Sequence, residues 1–151
     1  MSEFNPKTIQ IGNTEWMAEN LAYDDEGEGI FYNRDNGEYY YTWDAARRIA
    51  DKLGWKLPSN EDWDRACEEC NGVKDKNGNY SCYLKEKLGI KLAGYYYGFH
   101  YIDIDSSGHF WSSSKYSSSY VWYRYFDTSS SVTRYSINKT SSFSVRLVKD
   151  I

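Results

Sequence analysis

The chain has 151 residues and a formal net charge of −4, which sets one domain with a core large enough to fold without disulfide staples. An acidic chain without a long Lys/Arg run lacks the patch that phosphate neutralisation requires, so nucleic acid is not an expected partner. Membrane insertion is not expected either, because no apolar run approaches the length of a span. Mean hydropathy is low, at −0.79. Aromatic residues nevertheless make up 19%, with 16 Tyr and 6 Trp, and each buried ring removes a large apolar area from water.

The opening stretch, Met1 to Pro6, has neither a positive n-region nor an apolar h-region, so no secretory signal is read there. Thr8-Ile9-Gln10-Ile11 alternates, Gly12-Asn13 is a turn signal and Glu15-Trp16-Met17 resumes, which predicts a hairpin. Residues 24–29 form an acidic run that reads as a solvated loop. Calcium is the alternative there, since hard cations take several oxygen ligands; otherwise no cofactor is expected. Asn33 to Tyr41 reads as loop into strand, turning at Asp35-Asn36-Gly37.

Thr42 is then placed to cap a helix. Trp43, Ala46, Ile49, Ala50 and Leu53 share one face of it, and Gly54 stands where it should stop. Ser59, with Asp62 three residues on, predicts a capping box for a second helix. Trp63, Ala66, Cys67 and Cys70 share its apolar face. On that face cysteine behaves as a small hydrophobe, so Cys67 and Cys70 read as buried thiols. A disulfide to Cys82 and a metal site are the alternatives, but a structural zinc site wants four ligands and the three cysteines have no histidine at ligand spacing.

Residues 71–79 read as a loop, Cys82 to Leu88 as holding a short helical turn, and the glycine-punctuated aromatic run 94–99 as a loop against the core or a bulged strand. Asp103 to Gly108 imitates the first half of an EF-hand loop. Its twelfth position would be Ser114 rather than glutamate, so it reads as a turn closed by its own side chains. His100 and His109 are the only histidines and belong to no nucleophile motif, and no phosphate loop is present, so no catalytic residue and no metal ligand is assigned. Asn79-Tyr80-Ser81 and Asn138-Lys139-Thr140 match the glycosylation pattern, which has meaning only in a eukaryotic secretory host.

The segment from Gly108 to Ile151 organises the chain. It opens with Gly-His-Phe-Trp-Ser-Ser-Ser (108–114) and closes with Phe-Ser-Val-Arg-Leu-Val (143–148). In the closing run Phe143, Val145 and Leu147 alternate with Ser144 and Arg146, a strand pattern. From Tyr120 to Asp127, period two puts Trp122, Arg124 and Phe126 on one side and Tyr123, Tyr125 and Asp127 on the other. Tyr supplies stiff amphipathic contact area and Ser adaptable hydrogen bonding, the composition of recognition surfaces.

Several stretches, in order, resemble the Fibrobacter succinogenes major paralogous domain family. They are Ile-Gly-Asn-Thr-Glu-Trp-Met-Ala-Glu-Asn-Leu (11–21), Tyr-Thr-Trp-Asp-Ala-Ala (41–46), Gly-Trp-Lys-Leu-Pro-Ser-Asn-Glu-Asp-Trp (54–63), Leu-Ala-Gly-Tyr-Tyr-Tyr-Gly (92–98), Phe-Trp-Ser-Ser-Ser (110–114) and the closing run. That family resembles the C-type-lectin-fold proteins that include formylglycine-generating enzymes and the variable proteins of diversity-generating retroelements. The resemblance implies an α+β C-type lectin fold over 1–151: two helices on a twisted antiparallel sheet, with 143–148 paired to Thr8–Ile11. The enzyme branch needs cysteines in the C-terminal half and this chain has none after Cys82, so no enzymatic activity is expected.

In the retroelement proteins, errors at template adenines convert asparagine codons to Tyr, His, Asp, Ser, Thr or Ile. Between Ser112 and Ser142 every residue is Asn or one of these, except Lys115, Val121, Trp122, Arg124, Phe126, Val132, Arg134 and Lys139. The expected function is therefore a non-enzymatic ligand-binding protein with a diversified region at about 112–142; a fixed adhesin or carbohydrate-binding module is the alternative. The expected partner is a protein or glycan on a cell surface, and the expected location the cell surface, the secreted fraction or a virion. The expected ligand-binding residues are Tyr123, Tyr125, Asp127, Thr133, Tyr135 and Ile137, forming one exposed patch with Tyr116, Tyr120, Ser129 and Ser131. Trp111, Trp122, Arg124, Phe126 and Arg134 are the expected scaffold, with Trp122 and Phe126 buried and the two arginines bonded to backbone.

Overall fold

The computed structural model describes residues 4–151. Met1, Ser2 and Glu3, half of the stretch inspected for a signal, lie outside the described residues. The hairpin predicted near the N-terminus is β1 (Thr8–Ile11) with β2 (Thr14–Met17), Ile9 facing Trp16 across it. A second hairpin, β3 (Ile30–Asn33) with β4 (Glu38–Tyr41), turns at the Asp-Asn-Gly signal; its first arm begins earlier than the loop expected there.

Helix α1 (Trp43–Leu53) starts where Thr42 accepts from the Ala45 amide at 3.3 Å. It stops at Gly54, whose φ of 75° suits a residue without Cβ. Helix α2 (Asn60–Glu69) carries the capping box in full: Asp62 N–H donates to Ser59 Oγ at 3.1 Å, and Ser59 N–H donates to Asp62 Oδ2 at 2.9 Å. The loop read over 71–79 includes strand residues, because β5 (Val73–Lys74) and β6 (Tyr80–Ser81) form a short hairpin there. Helix α3 (Leu84–Lys87) is the expected helical turn. The aromatic run is another hairpin, β7 (Tyr95–Tyr97) with β8 (His100–Ile102). It is led by Gly94 at a φ of 67°, where a Cβ would collide with the Ile102 carbonyl oxygen.

Three long strands follow, β9 (Gly108–Lys115), β10 (Tyr120–Phe126) and β11 (Ser131–Asn138), and β12 (Val148–Asp150) ends the chain. The result is a mixed α+β fold with few helices and four antiparallel sheets among the described residues: β1-β2-β12, β5-β6-β11-β10-β9, β3-β4 and β7-β8. Among the described residues, no helix is long and apolar enough to cross a membrane.

The closing run pairs differently from the expectation. Val148–Asp150 pairs with Thr14–Met17 and not with Thr8–Ile11, so β2 is central and β1 lies at the edge. Residues 143–147 leave the ladder and thread between elements: Phe143 bridges Tyr41, Ser144 bridges Phe110, and the Leu147 and Val145 carbonyls accept from Met17 and Leu21 at 3.1 and 2.9 Å. Every residue from Ser141 to Val148 is buried, including the Ser144 and Arg146 of the face expected to be polar. Arg146, 1% exposed, donates to the Met17, Leu88 and Gly89 carbonyls at 3.1, 2.6 and 3.0 Å and to Asn20 Oδ1 at 2.8 Å. Burial lowers its pKa to about 10.

Two apolar clusters flank the long sheet. One gathers α1, Trp111, Tyr123, Phe143, Val145 and Leu147; the other gathers α2, Trp16, Phe110, Phe126 and Val132. The three cysteines are free and buried in the second. The hydrogen bond that Cys67 gives to Cys82, together with burial, holds its thiol above the ordinary range.

Candidate functional site

The long sheet is built from alternation and one irregularity. Between Val121 and Tyr123 the β9 partner moves from Lys115 to Trp111, so β9 bulges at Ser112, Ser113 and Ser114. The bulged serines dock the sheet on both helices. Ser112 carbonyl accepts from Trp43 Nε1 at 2.8 Å, Ser112 Oγ donates to Asn60 Oδ1 at 2.9 Å, and Ser114 Oγ accepts from Asn60 N–H at 2.9 Å. On the α2 side, Phe110 and Phe126 lie against Trp63, with ring centroids 6.2 and 6.0 Å away.

Buried Arg124 reaches Asp64 Oδ1 and Asn60 Oδ1, both at 3.1 Å; its contact to backbone, at Asn60 O, is longer at 3.5 Å. It is therefore held by side chains more than by backbone, contrary to expectation, because the facing element presents a helix side rather than a strand edge. Burial pushes its pKa down while Asp64 opposes the shift. Arg134 does bond backbone, donating from Nε to the Asn77 carbonyl at 3.2 Å. Trp111, on the other side, is buried and donates to the Tyr41 carbonyl.

The other side carries the tyrosine row. Tyr123 faces Tyr135, Tyr125 faces Thr133 and Val121 faces Ile137 across the β10–β11 ladder. The Tyr135 ring lies 5.9 Å from that of Tyr123 and 6.0 Å from that of Tyr125, so these expected residues are contiguous. They are not equally open. Tyr135 is exposed, while Tyr125, Thr133 and Ile137 are half-buried.

Tyr123 is only 9% exposed, which corrects its expected place on an open patch. The closing segment crosses this face, and Phe143 stands 4.7 Å from the Tyr123 ring. The face is thus sealed toward β9 and open toward β11. Trp122 is the reverse correction. Expected to be buried, it is only half-buried, with Tyr116 at 5.3 Å and the Arg134 guanidinium at 4.9 Å from its ring. Phe126 is buried as expected.

The remaining expected residues divide. Tyr116 belongs with Trp122 on the α2 side of the sheet, away from the row. Tyr120 is exposed at the start of β10, opposite Asn138. Asp127 and Ser129 shape the β10–β11 turn: the Asp127 carboxylate accepts from the Ser129 amide and hydroxyl, and Lys85 Nζ donates to both carbonyls at 2.9 and 2.7 Å. These bonds hold the Asp127 carboxyl below its usual range, Ser129 contributing most. Ser131 is exposed opposite Ser81 of β6.

His109 lies beneath the row, 6% exposed. Tyr95, Tyr123, Tyr125 and Phe143 surround it, and Ser107 Oγ lies 3.0 Å from Nε2. Burial pushes its pKa down to about 4.

Sequence reasoning missed the β7–β8 hairpin beside the row. Tyr95 packs on Phe143, Tyr97 is 59% exposed, and Phe99 at the tip is 90% exposed with a φ of 68°. The glycines bracketing an aromatic run were its signal. The acidic loop is engaged internally: Asp25 takes two bonds from Arg48 at 2.8 and 2.9 Å, and Asp24 closes a turn on the Glu26 amide.

Residues 76–148, just under half of the chain, match a family described as a domain of unknown function, DUF8237. The matched stretch runs from the β5–β6 turn through the long sheet to the start of β12. No curated protein and no solved structure matches the chain.

Proposed function

We propose that the chain is a non-enzymatic ligand-binding protein of C-type lectin fold whose long sheet displays a diversified recognition face. The observation that carries this reading is the cross-strand register, which sets Tyr125, Thr133, Tyr135 and Ile137 side by side on a ladder anchored from behind. The side chains behind them, Phe110, Arg124, Phe126 and Val132, are buried. Three of those four lie in the 112–142 stretch, and all three are among its residues that asparagine codons do not reach. On the row the open positions Tyr125, Thr133, Tyr135 and Ile137 hold reachable types and the buried positions behind them hold types outside that set. Elsewhere in 112–142 the match is partial, since Ser112, Tyr123, Ser141 and Ser142 are buried reachable types and Lys115, Trp122, Arg134 and Lys139 are open or half-buried positions outside the set. For the lectin fold, the supporting features are the adjacent N- and C-terminal strands in one sheet and the two capped helices against another. In this reading the ligand is a protein or glycan on a cell surface, and the chain works on a surface, in secretion or on a virion.

The test is the source DNA. A near-copy of the segment encoding 108–148, with Asn codons where this chain has Tyr, Ser, Asp, Thr or Ile, should lie beside a reverse-transcriptase gene. A locus without such a copy would refute diversification.

A further inference from the structure

We infer that the cavity between the β7–β8 hairpin and the open end of the long sheet binds a neutral saccharide ring. The cavity measures about 450 Å³ and is walled by the rings of Tyr95, Tyr97 and Tyr120, by Ile137 of the row, and by Asn138, Thr140 and Ser141; no lining residue is charged. That is unusual in a chain with 26% charged residues. A cleft of about 400 Å³ between the β1–β2 turn and α2 carries Asp62, Arg65 and Glu69, and one of about 410 Å³ near Ala18 carries Glu38, Lys91 and Arg146.

The wall chemistry narrows the ligand. A phosphate or carboxylate would meet no cation there. A wholly apolar ligand would cover the Asn138 Nδ2 donor, the end of that amide not bonded to Thr140, without pairing it, which is unfavourable. A saccharide ring presents a C–H face to an aromatic ring and hydroxyls at its rim, so it satisfies both kinds of wall.

The groups are also held in place. Asn138 Oδ1 accepts from the Thr140 amide and hydroxyl at 3.0 and 2.9 Å, which orients Nδ2 as a donor. The Lys139 amide donates to the Ser119 carbonyl at 3.0 Å, the Tyr120 carbonyl accepts from the Tyr116 amide at 2.9 Å, and the Tyr96 amide donates to the Ser142 carbonyl at 3.0 Å. Both walls are therefore tied to the sheet before a ligand arrives.

This inference rests on the binding-module reading and does not require that the tail vary; Tyr95 and Tyr97 lie outside 112–142, and Tyr120, Ile137, Asn138, Thr140 and Ser141 lie within it. The test is an amide chemical-shift titration of the full chain with the methyl glycosides of glucose, galactose and mannose, and with lactose and cellobiose. At least one should give saturable shifts centred on Tyr95, Tyr97, Tyr120 and Asn138, with a roughly millimolar dissociation constant. Tyr97→Ala, at an exposed position, should weaken that binding at least about tenfold, while Tyr135→Ser on the row should leave it within about twofold. Glucuronate should bind more weakly than glucose. No saturable shift with any of these sugars, binding unaltered in Tyr97→Ala, or tighter binding of glucuronate would each overturn the proposal. A locus without a template copy would leave it standing, and a failed titration would leave the diversified row standing.

Discussion

At the residue scale the group that ties folding to mild acid is His109, buried beneath the tyrosine row. Its imidazole is enclosed by Tyr95, Tyr123, Tyr125 and Phe143 and held neutral by burial, with a pKa of about 4. A base whose folded pKa lies below its ordinary value binds fewer protons folded than unfolded, so acid opposes folding. Stability should fall as pH drops from about 6.5 to about 4 and level off below, by about 3 kcal/mol in all. Asp25 acts in a separate window. Arg48 holds its carboxyl below the usual range, so its contribution is intact above about pH 4 and is lost only as pH falls further. Urea unfolding at pH 7 and 4.5 should show a drop in the native chain and almost none in His109→Phe; an equal drop in both would assign the effect elsewhere. Trp122 gives a second residue-scale test. Half-buried between Tyr116 and Arg134, it should cost about 1–2 kcal/mol on change to Ala, against about 3–5 kcal/mol for fully buried Trp63.

At the element scale the closing segment does the most. Burying Phe143, Val145 and Leu147 contributes roughly 5–8 kcal/mol, comparable to the stability of a whole domain. Deleting residues 143–151 should abolish cooperative unfolding, read by circular dichroism against temperature. Arg146→Met is the finer version. It keeps volume but strips the Met17, Leu88 and Gly89 carbonyls of their buried donor, and should cost at least about 3 kcal/mol. A melting temperature unchanged in that variant would mean that these carbonyls find other partners. The same element explains why the tyrosine row is open on one side only, because Phe143 covers Tyr123 and leaves Tyr135 free.

At the scale of the whole molecule, the packed side behind the sheet should let its open side accept substitution. Tyr125, Thr133, Tyr135 and Ile137 changed together to other residues reachable from an Asn codon should stay within about 1 kcal/mol per site. Tyr123→Ser should exceed that, at roughly 2–4 kcal/mol, because it empties a site beneath Phe143. Thermal unfolding of a small variant set would decide. Loss of stability spread evenly over all five positions would mean that the row belongs to the core and is not a recognition face.

What the sequence determined by itself was local. The alternation in 8–17 and 120–127, the caps at Thr42 and Ser59, and the stop at Gly54 all rest on backbone groups a few residues apart, so their residue types suffice to specify them. The contiguity of Tyr123, Tyr125 and Tyr135 was legible for the same reason, since strand period and a short turn dictate which residues meet across a ladder. Depth was not legible. Period two assigns a side chain to a face but does not say what covers that face, and here both faces are covered in part, one by α2 and the other by 143–147. That covering buried Tyr123 and Arg146, left Trp122 at the margin, and set β12 against β2 rather than β1. The cavity beside Tyr97 likewise joins residues about 40 positions apart. Contacts at such separation are decided by how the sheets and helices pack as a body, and only the tertiary structure carries that information.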